Sequence, residues 1–141
     1  MARTQSKPSS LQEATVNPKD CHYTKGHTWV RASGNVATVG ITDHAQKQLG
    51  SVLFLEVAQA GDAVTQGKPC GTIESDKATS EIMCPVGGKV VAINQETMAA
   101  PETVNNDPSG NGWLLQVHMS NLKELDNLMT AEAFEKYVAG A

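Results

Sequence analysis

The sequence predicts a mainly β domain with helices at its C-terminal end, and three observations carry that expectation. Short segments of alternating apolar and polar residues recur through the middle of the chain, bounded by glycine, asparagine and proline. Beyond residue 120 the apolar residues change to a three-and-four spacing. At 141 residues there is room for one domain and a modest core, with little left for a deep cleft enclosing two substrates.

Residues 1–20 contain Arg3, Lys7, Pro8, Ser9, Ser10 and Pro18 but lack the apolar core of a secretory signal. They are expected to form a disordered tail or a processed leader, with residues 21–141 as a single domain. Trp29-Val30-Arg31 and Val36 to Ile41 flank Ser33-Gly34-Asn35, which is turn chemistry for a hairpin. Asp43 to Leu49 has the composition of a short helix after this second strand, closed by Gly50 as its cap. Val52-Leu53-Phe54-Leu55 is apolar at both parities, so a strand covered on both faces is expected. Gly61-Asp62-Ala63-Val64 and Gly87-Gly88-Lys89-Val90-Val91 echo each other weakly, as two similar β-units around a shared core would. Leu122, Leu125, Leu128 and Met129 fit one face of a helix started by Ser120 or Asn121. Thr130 caps a second helix carrying Phe134, Tyr137 and Val138, and both helices are expected to cover apolar sheet surface.

The most informative stretch lies between two alternating segments, Gly71 to Ser75 and Ser80 to Met83, which read as an antiparallel hairpin with Lys77 at its tip. A lysine amine can be acylated only if it is held clear of the fold, and a tight turn between paired strands does this. Acylation removes the charge and leaves a long tether. Glu74, Asp76 and Glu81 make the surroundings acidic, which favours the ammonium form, so the reaction calls for an activated acyl donor. On position alone such a lysine is most often a solvated charge that keeps an edge soluble.

The motif changes that balance. Glu74-Ser75-Asp76-Lys77-Ala78-Thr79-Ser80-Glu81-Ile82, followed by Pro85-Val86-Gly87-Gly88-Lys89-Val90, resembles the lipoyl-lysine site of glycine cleavage H proteins, E-S-x-K-A-x-S-[DE] and then P-V-x-G-x-V. Tyr23-Thr24-Lys25-Gly26-His27-Thr28-Trp29 is similar to the family's Y-T-x-x-H-E-W, and Val36 to Gln46 to its V-x-V-G-I-T-D-[YH]-A-Q. Asn105-Asn106-Asp107-Pro108 with Gly112-Trp113-Leu114 is similar to its N-x-D-P-x-G-x-G-W-L close. The landmarks run in the family's order from Tyr23 to Tyr137.

The resemblance implies a flattened lipoyl/biotinyl-type barrel of two small antiparallel sheets, a barrel-sandwich hybrid. It implies lipoate joined to Lys77, with Glu74, Asp76, Ala78 and Glu81 as flanking recognition residues and His27 and Thr28 near the cleft where the loaded arm rests. The implied role is that of a monomeric, non-catalytic shuttle. It would take an aminomethyl group from glycine decarboxylase, the P protein, to the tetrahydrofolate-dependent aminomethyltransferase, the T protein. Reoxidation would fall to dihydrolipoamide dehydrogenase, the L protein, and loading to a lipoate-attaching enzyme. The compartment would be the mitochondrial matrix in a eukaryote and the cytoplasm in a bacterium.

Two residues depart from the family pattern. Thr28 stands where glutamate is usual, offering a hydroxyl in place of a carboxylate that could pair with a cationic cargo. Asp76 stands where valine is usual, and S-D-K-A is similar to the T-D-K-A of 2-oxoacid dehydrogenase acyltransferase lipoyl domains. Three alternatives therefore stay open: such an acyltransferase domain, a biotin carrier, and an H-like lipoate depot or regulatory binding module. The first lacks the H-T-W and T-D-H-A-Q elements, and the second normally has methionines beside its lysine.

Other chemistries find little footing. His22, His27, His44 and His118 show no metal-ligand spacing, and Cys21, Cys70 and Cys84 form no C-x-x-C pair, so neither a metal site nor a disulfide framework is expected. Cys84 reads as a small residue in a half-buried strand. With 15 acidic against 11 basic side chains and no basic stripe, nucleic acid is not an expected partner. No apolar run has the length of a membrane span.

Overall fold

The computed structural model describes Pro18 and residues Asp20–Ala139. Two antiparallel sheets face each other across one main core. The larger has six strands in the order β1 (His22–Tyr23), β2 (Thr28–Ser33), β3 (Val36–Ile41), β9 (Leu115–Met119), β8 (Gly88–Ile93), β5 (Ala63–Val64). The smaller has three, β4 (Val52–Val57), β6 (Pro69–Ser75) and β7 (Thr79–Met83), with β6 central. Val30, Val39, Leu115 and Val117 of the larger sheet meet Leu55, Ile73 and Ile82 of the smaller. This is the expected mainly β, two-sheet sandwich, and the described strands do not close into a continuous barrel. Pro18 and Asp20 belong to the body: Pro18 accepts hydrogen bonds from the Cys21 amide and the Tyr23 hydroxyl, and Asp20 pairs with Arg31. The rest of the expected tail lies outside the described residues.

Local chemistry explains the elements that sequence anticipated. Gly34, at φ +62°, turns β2 into β3 with Ser33 opposite Val36. Helix α1 (Asp43–Leu49) begins where the Thr42 hydroxyl accepts from the Ala45 amide, and ends at Gly50. Because β1 adds a strand ahead of the predicted hairpin, α1 follows the third strand and not the second. The echoing segments meet directly: β5 and β8 pair, Ala63 opposite Lys89.

Two expectations need correction. The strand from Val52 is not covered on both faces, since Leu53 and Phe54 are 62 % and 53 % exposed. A β-bulge between Val52 and Phe54 inserts one extra residue, so both side chains point outward before Leu55 returns to the core. The segment after Asn121 is a 3₁₀ helix (Leu122–Asn127), capped by the Asn121 side chain on the Lys123 amide. Leucines spaced uniformly by three suit its three residues per turn. Leu122 is exposed, Leu128 lies past the helix end, and Met129 exchanges backbone hydrogen bonds with Tyr23. Sequence also missed two short helices, α2 (Gln95–Ala99) and α3 (Thr103–Asn106). The final helix α4 (Ala131–Ala139) is capped by Thr130 as expected, and stacks Phe134 on Tyr23 at 4.9 Å over a second core containing Cys21 and Trp29.

Candidate functional site

The β6–β7 hairpin ends at Glu74 opposite Thr79, leaving Ser75 to Ala78 to make the turn. Ser75 closes it: its hydroxyl oxygen accepts from the amides of Lys77 at 3.2 Å and Ala78 at 3.1 Å, while its own amide donates to the Ala78 carbonyl at 2.8 Å. Lys77 is exposed at the apex. Among the described residues the ion pairs are Arg31–Asp20 and Lys47–Asp43, so the Lys77 amine is held by no carboxylate. Ala78 and the carboxylates of Glu74, Asp76 and Glu81 are exposed around it.

Asp76 has a specific task. Its amide donates to the Ser51 carbonyl at 3.0 Å, and its Oδ1 accepts from the Ser51 amide at 3.1 Å. The tip is thereby clamped to the loop between α1 and β4. Gly50 sits in that loop at φ +81°, a conformation that disfavours side chains. A Cβ there would lie 2.6 Å from Asp76 Oδ1 and 3.2 Å from Lys77 Cε, so the glycine makes room for the lysine stem.

Asn105 of α3 braces the loop from behind. Its Oδ1 accepts from the Val52 amide at 2.9 Å; its Nδ2 donates to the Gly50 carbonyl at 2.8 Å and to Gln46 Oε1 at 3.0 Å. Asn105→Ala removes three hydrogen bonds and orphans the Val52 amide, an expected loss of about 2–3 kcal/mol. Urea denaturation checks this, and acylation of Lys77 is expected to slow severalfold as the clamp loosens. From sequence Gly50 was read only as a helix cap, Ser75 and Asn105 only as members of motifs, and Ser51 was not singled out. Ser75 and Asn105 lie inside the recognised motifs, which was the available signal.

His27 and Thr28 are not brought to the lysine. They lie at the opposite end of α1, a seven-residue helix spanning about 10 Å. Thr28 is 1 % exposed, and its hydroxyl shares a 2.7 Å hydrogen bond with that of Thr24. Beside them a hollow of about 360 Å³ is lined by Thr24, Gly26, Met83, Cys84 and Leu128. His27 adopts φ +66° and packs against His44 at 5.0 Å and edge-on to Phe134 at 5.8 Å. Burial, and then the neighbouring His44, push its pKa below the ordinary 6.5. The unfolded chain therefore takes up a proton first as pH falls below that value, and the native state loses stability from there down to the lowered folded-state pKa. The urea midpoint is expected to decrease from pH 7 to 5, less so in His44→Gln.

The cysteines meet in a way their spacing conceals. Cys70 and Cys84 are buried in the same core and interact, and the Cys84 thiol donates to the Val86 carbonyl at 3.1 Å. The interaction with Cys70 pulls the Cys84 pKa down, and the same interaction together with burial drives that of Cys70 up. Cys84 is a fully buried small residue one position past the end of β7, where a place within a half-buried strand was expected. Burial raises Cys21 to about 11.

Scaffold and tip together define a small lipoyl-type domain that presents a lysine on a β-turn. The family model for the glycine cleavage H-protein matches residues 21–140. The glycine cleavage system H protein of Carboxydothermus hydrogenoformans is 45% identical over 122 residues, 86% of this chain and 94% of that protein. The mitochondrial glycine cleavage system H protein 2 of Arabidopsis thaliana is 45% identical over 124 residues, 88% and 80% of the two chains. The crystal structure of a glycine cleavage system H protein from Mycobacterium marinum superposes with a TM-score of 0.80 at 33% identity, covering 86% of this chain and 98% of that one. The chain belongs to the glycine cleavage H-protein family.

Proposed function

We propose that the protein is the lipoyl-bearing carrier of a glycine cleavage system, with Lys77 as the attachment point. The observation that carries this reading is an exposed lysine, free of ion pairs among the described residues, whose turn is fixed on both sides by Ser75 and Asp76. Amide formation at Nζ breaks no contact of the fold, and Gly50 leaves space for the stem, so the site suits lipoate. When bound, lipoate supplies the dithiolane on which group transfer and redox chemistry take place. The chain's own contribution is placement: Ser75 shapes the turn, the Asp76–Ser51 clamp limits its swing, and Glu74 and Glu81 mark the approach for the attaching enzyme. The arm folds along α1 toward His27, with Thr28 buried behind that end.

The protein acts without catalysis of its own, as a monomer serving in turn the glycine decarboxylase, the aminomethyltransferase and dihydrolipoamide dehydrogenase. Its compartment is the cytoplasm in a bacterial host and the mitochondrial matrix in a eukaryotic one. A second reading, a lipoate depot or regulatory module idle in glycine breakdown, draws support from Thr28, whose hydroxyl is buried and already bonded. Offering the lipoylated protein to glycine decarboxylase separates the two. Glycine-dependent exchange of carbon dioxide is the expected outcome, and lipoylation without exchange favours the depot.

A further inference from the structure

The outer face of the smaller sheet carries chemistry that the hairpin tip does not use. The bulge in β4 turns Leu53 and Phe54 outward together. The register then builds two rows on this face: Phe54, Glu74 and Thr79 in one, Glu56, Thr72 and Glu81 in the next. Directly opposed residues have Cβ atoms about 5 Å apart, so Phe54 stands beside Glu74, three residues before Lys77. Glu56, Glu74 and Glu81 are exposed, and none is ion-paired among the described residues.

Two large apolar side chains side by side in water add nothing to the core of an isolated domain. An aromatic anchor framed by charge has the composition of an interface centre. The charge pattern then selects the partner, because three unpaired carboxylates are complemented by a rim of lysine or arginine. We propose that Leu53 and Phe54, framed by Glu56, Glu74 and Glu81, are the docking surface for the enzyme that acylates Lys77, whose active-site mouth carries an apolar socket rimmed by basic residues. This rests on the lipoyl reading of Lys77.

Reach distinguishes this enzyme from the others. The acylating enzyme acts on the bare ε-amine, so its active site comes within one lysine side chain of the sheet and its flank covers Phe54. Enzymes that address the dithiolane work at the far end of a long tether and have no such need to cover the sheet.

The test uses the full chain with a lipoate ligase, lipoate and ATP, following lipoyl addition by intact mass at several carrier concentrations. Leu53→Ser with Phe54→Ser is expected to raise the KM for the carrier roughly 30-fold with kcat little changed, as loss of an interface anchor does. Glu56→Lys with Glu81→Lys is expected to raise KM and flatten its dependence on salt. Both pairs are at exposed positions, and an unchanged urea midpoint verifies that the variants are folded. After prolonged incubation has loaded the apolar variant fully, its reoxidation by dihydrolipoamide dehydrogenase is expected at the wild-type rate. A wild-type KM in the ligase assay overturns the inference, as does an equal loss with the dehydrogenase. So does sedimentation showing that the wild type dimerises through this face. If the wild type gains no lipoyl group, or Lys77→Arg still gains one, it is the Lys77 reading that fails.

Discussion

Replacing Lys77 by arginine is expected to abolish lipoyl addition and, with it, glycine-dependent carbon dioxide exchange, while leaving the fold intact. Arginine keeps the charge but offers no amine that an acyl donor can convert to an amide under these conditions. The fold has little to lose, because Lys77 is exposed and makes no ion pair among the described residues. Substitutions at such surface positions change stability by about 0.5 kcal/mol or less. Intact mass after incubation with a ligase, paired with a urea titration, measures both halves of this expectation. Lipoyl addition that persists in the variant would move the site to another lysine and leave the clamp around Lys77 without a purpose. Loss of addition together with a large loss of stability would assign Lys77 a structural role that its exposure argues against.

What could be read from the chain in advance was what depends on near neighbours. The composition of Asp43 to Leu49 and the cap at Gly50 declare α1 because capping acts within one helical turn. Ser75 to Ala78 declare a turn for the same reason. The outward face of β4 was hidden because a bulge cannot be seen in composition: inserting one residue flips the parity of everything before it. Four apolar residues in a row then look like a doubly covered strand, when two of them serve the core and two face water. The bracing of Lys77 was hidden for a different reason. Asn105 reaches Gly50 across 55 positions, and the Cys70–Cys84 contact depends on the irregular register at the start of β6, where Pro69 faces Met83 but Gly71 faces Ile82. Motif matching grouped Asn105, Asp107 and Pro108 in a family pattern without saying what they hold.

Trp29 shows how those distant motifs bear on the lysine, and its truncation is expected to have the largest effect on stability. The ring is fully buried and lies directly on Gly40, where an added Cβ would come within 2.6 Å of the indole. Its Nε1 donates to the Pro108 carbonyl at 3.0 Å, and the Arg31 guanidinium stands 5.1 Å from the ring centre. Trp29→Ala therefore opens a cavity bordered by Tyr23 and Phe134 and orphans the Pro108 carbonyl, a loss of about 3–5 kcal/mol. Domains of this kind are stable by only about 5–15 kcal/mol, so the variant is expected to unfold at low urea or to fail to accumulate. Trp29→Phe keeps most of the ring and removes the N–H, with an expected loss of about 1–3 kcal/mol. Pro108 follows α3, which carries Asn105, and Asn105 fixes the Gly50–Val52 loop to which Asp76 is tied. If that chain of contacts transmits order, Trp29→Phe should slow lipoyl addition at Lys77 under conditions where the protein remains folded, and Asn105→Ala should add little further slowing when combined with it. Independent, multiplicative effects in the double variant would show that the two motifs stabilise the domain separately and that only Asn105 governs the tip.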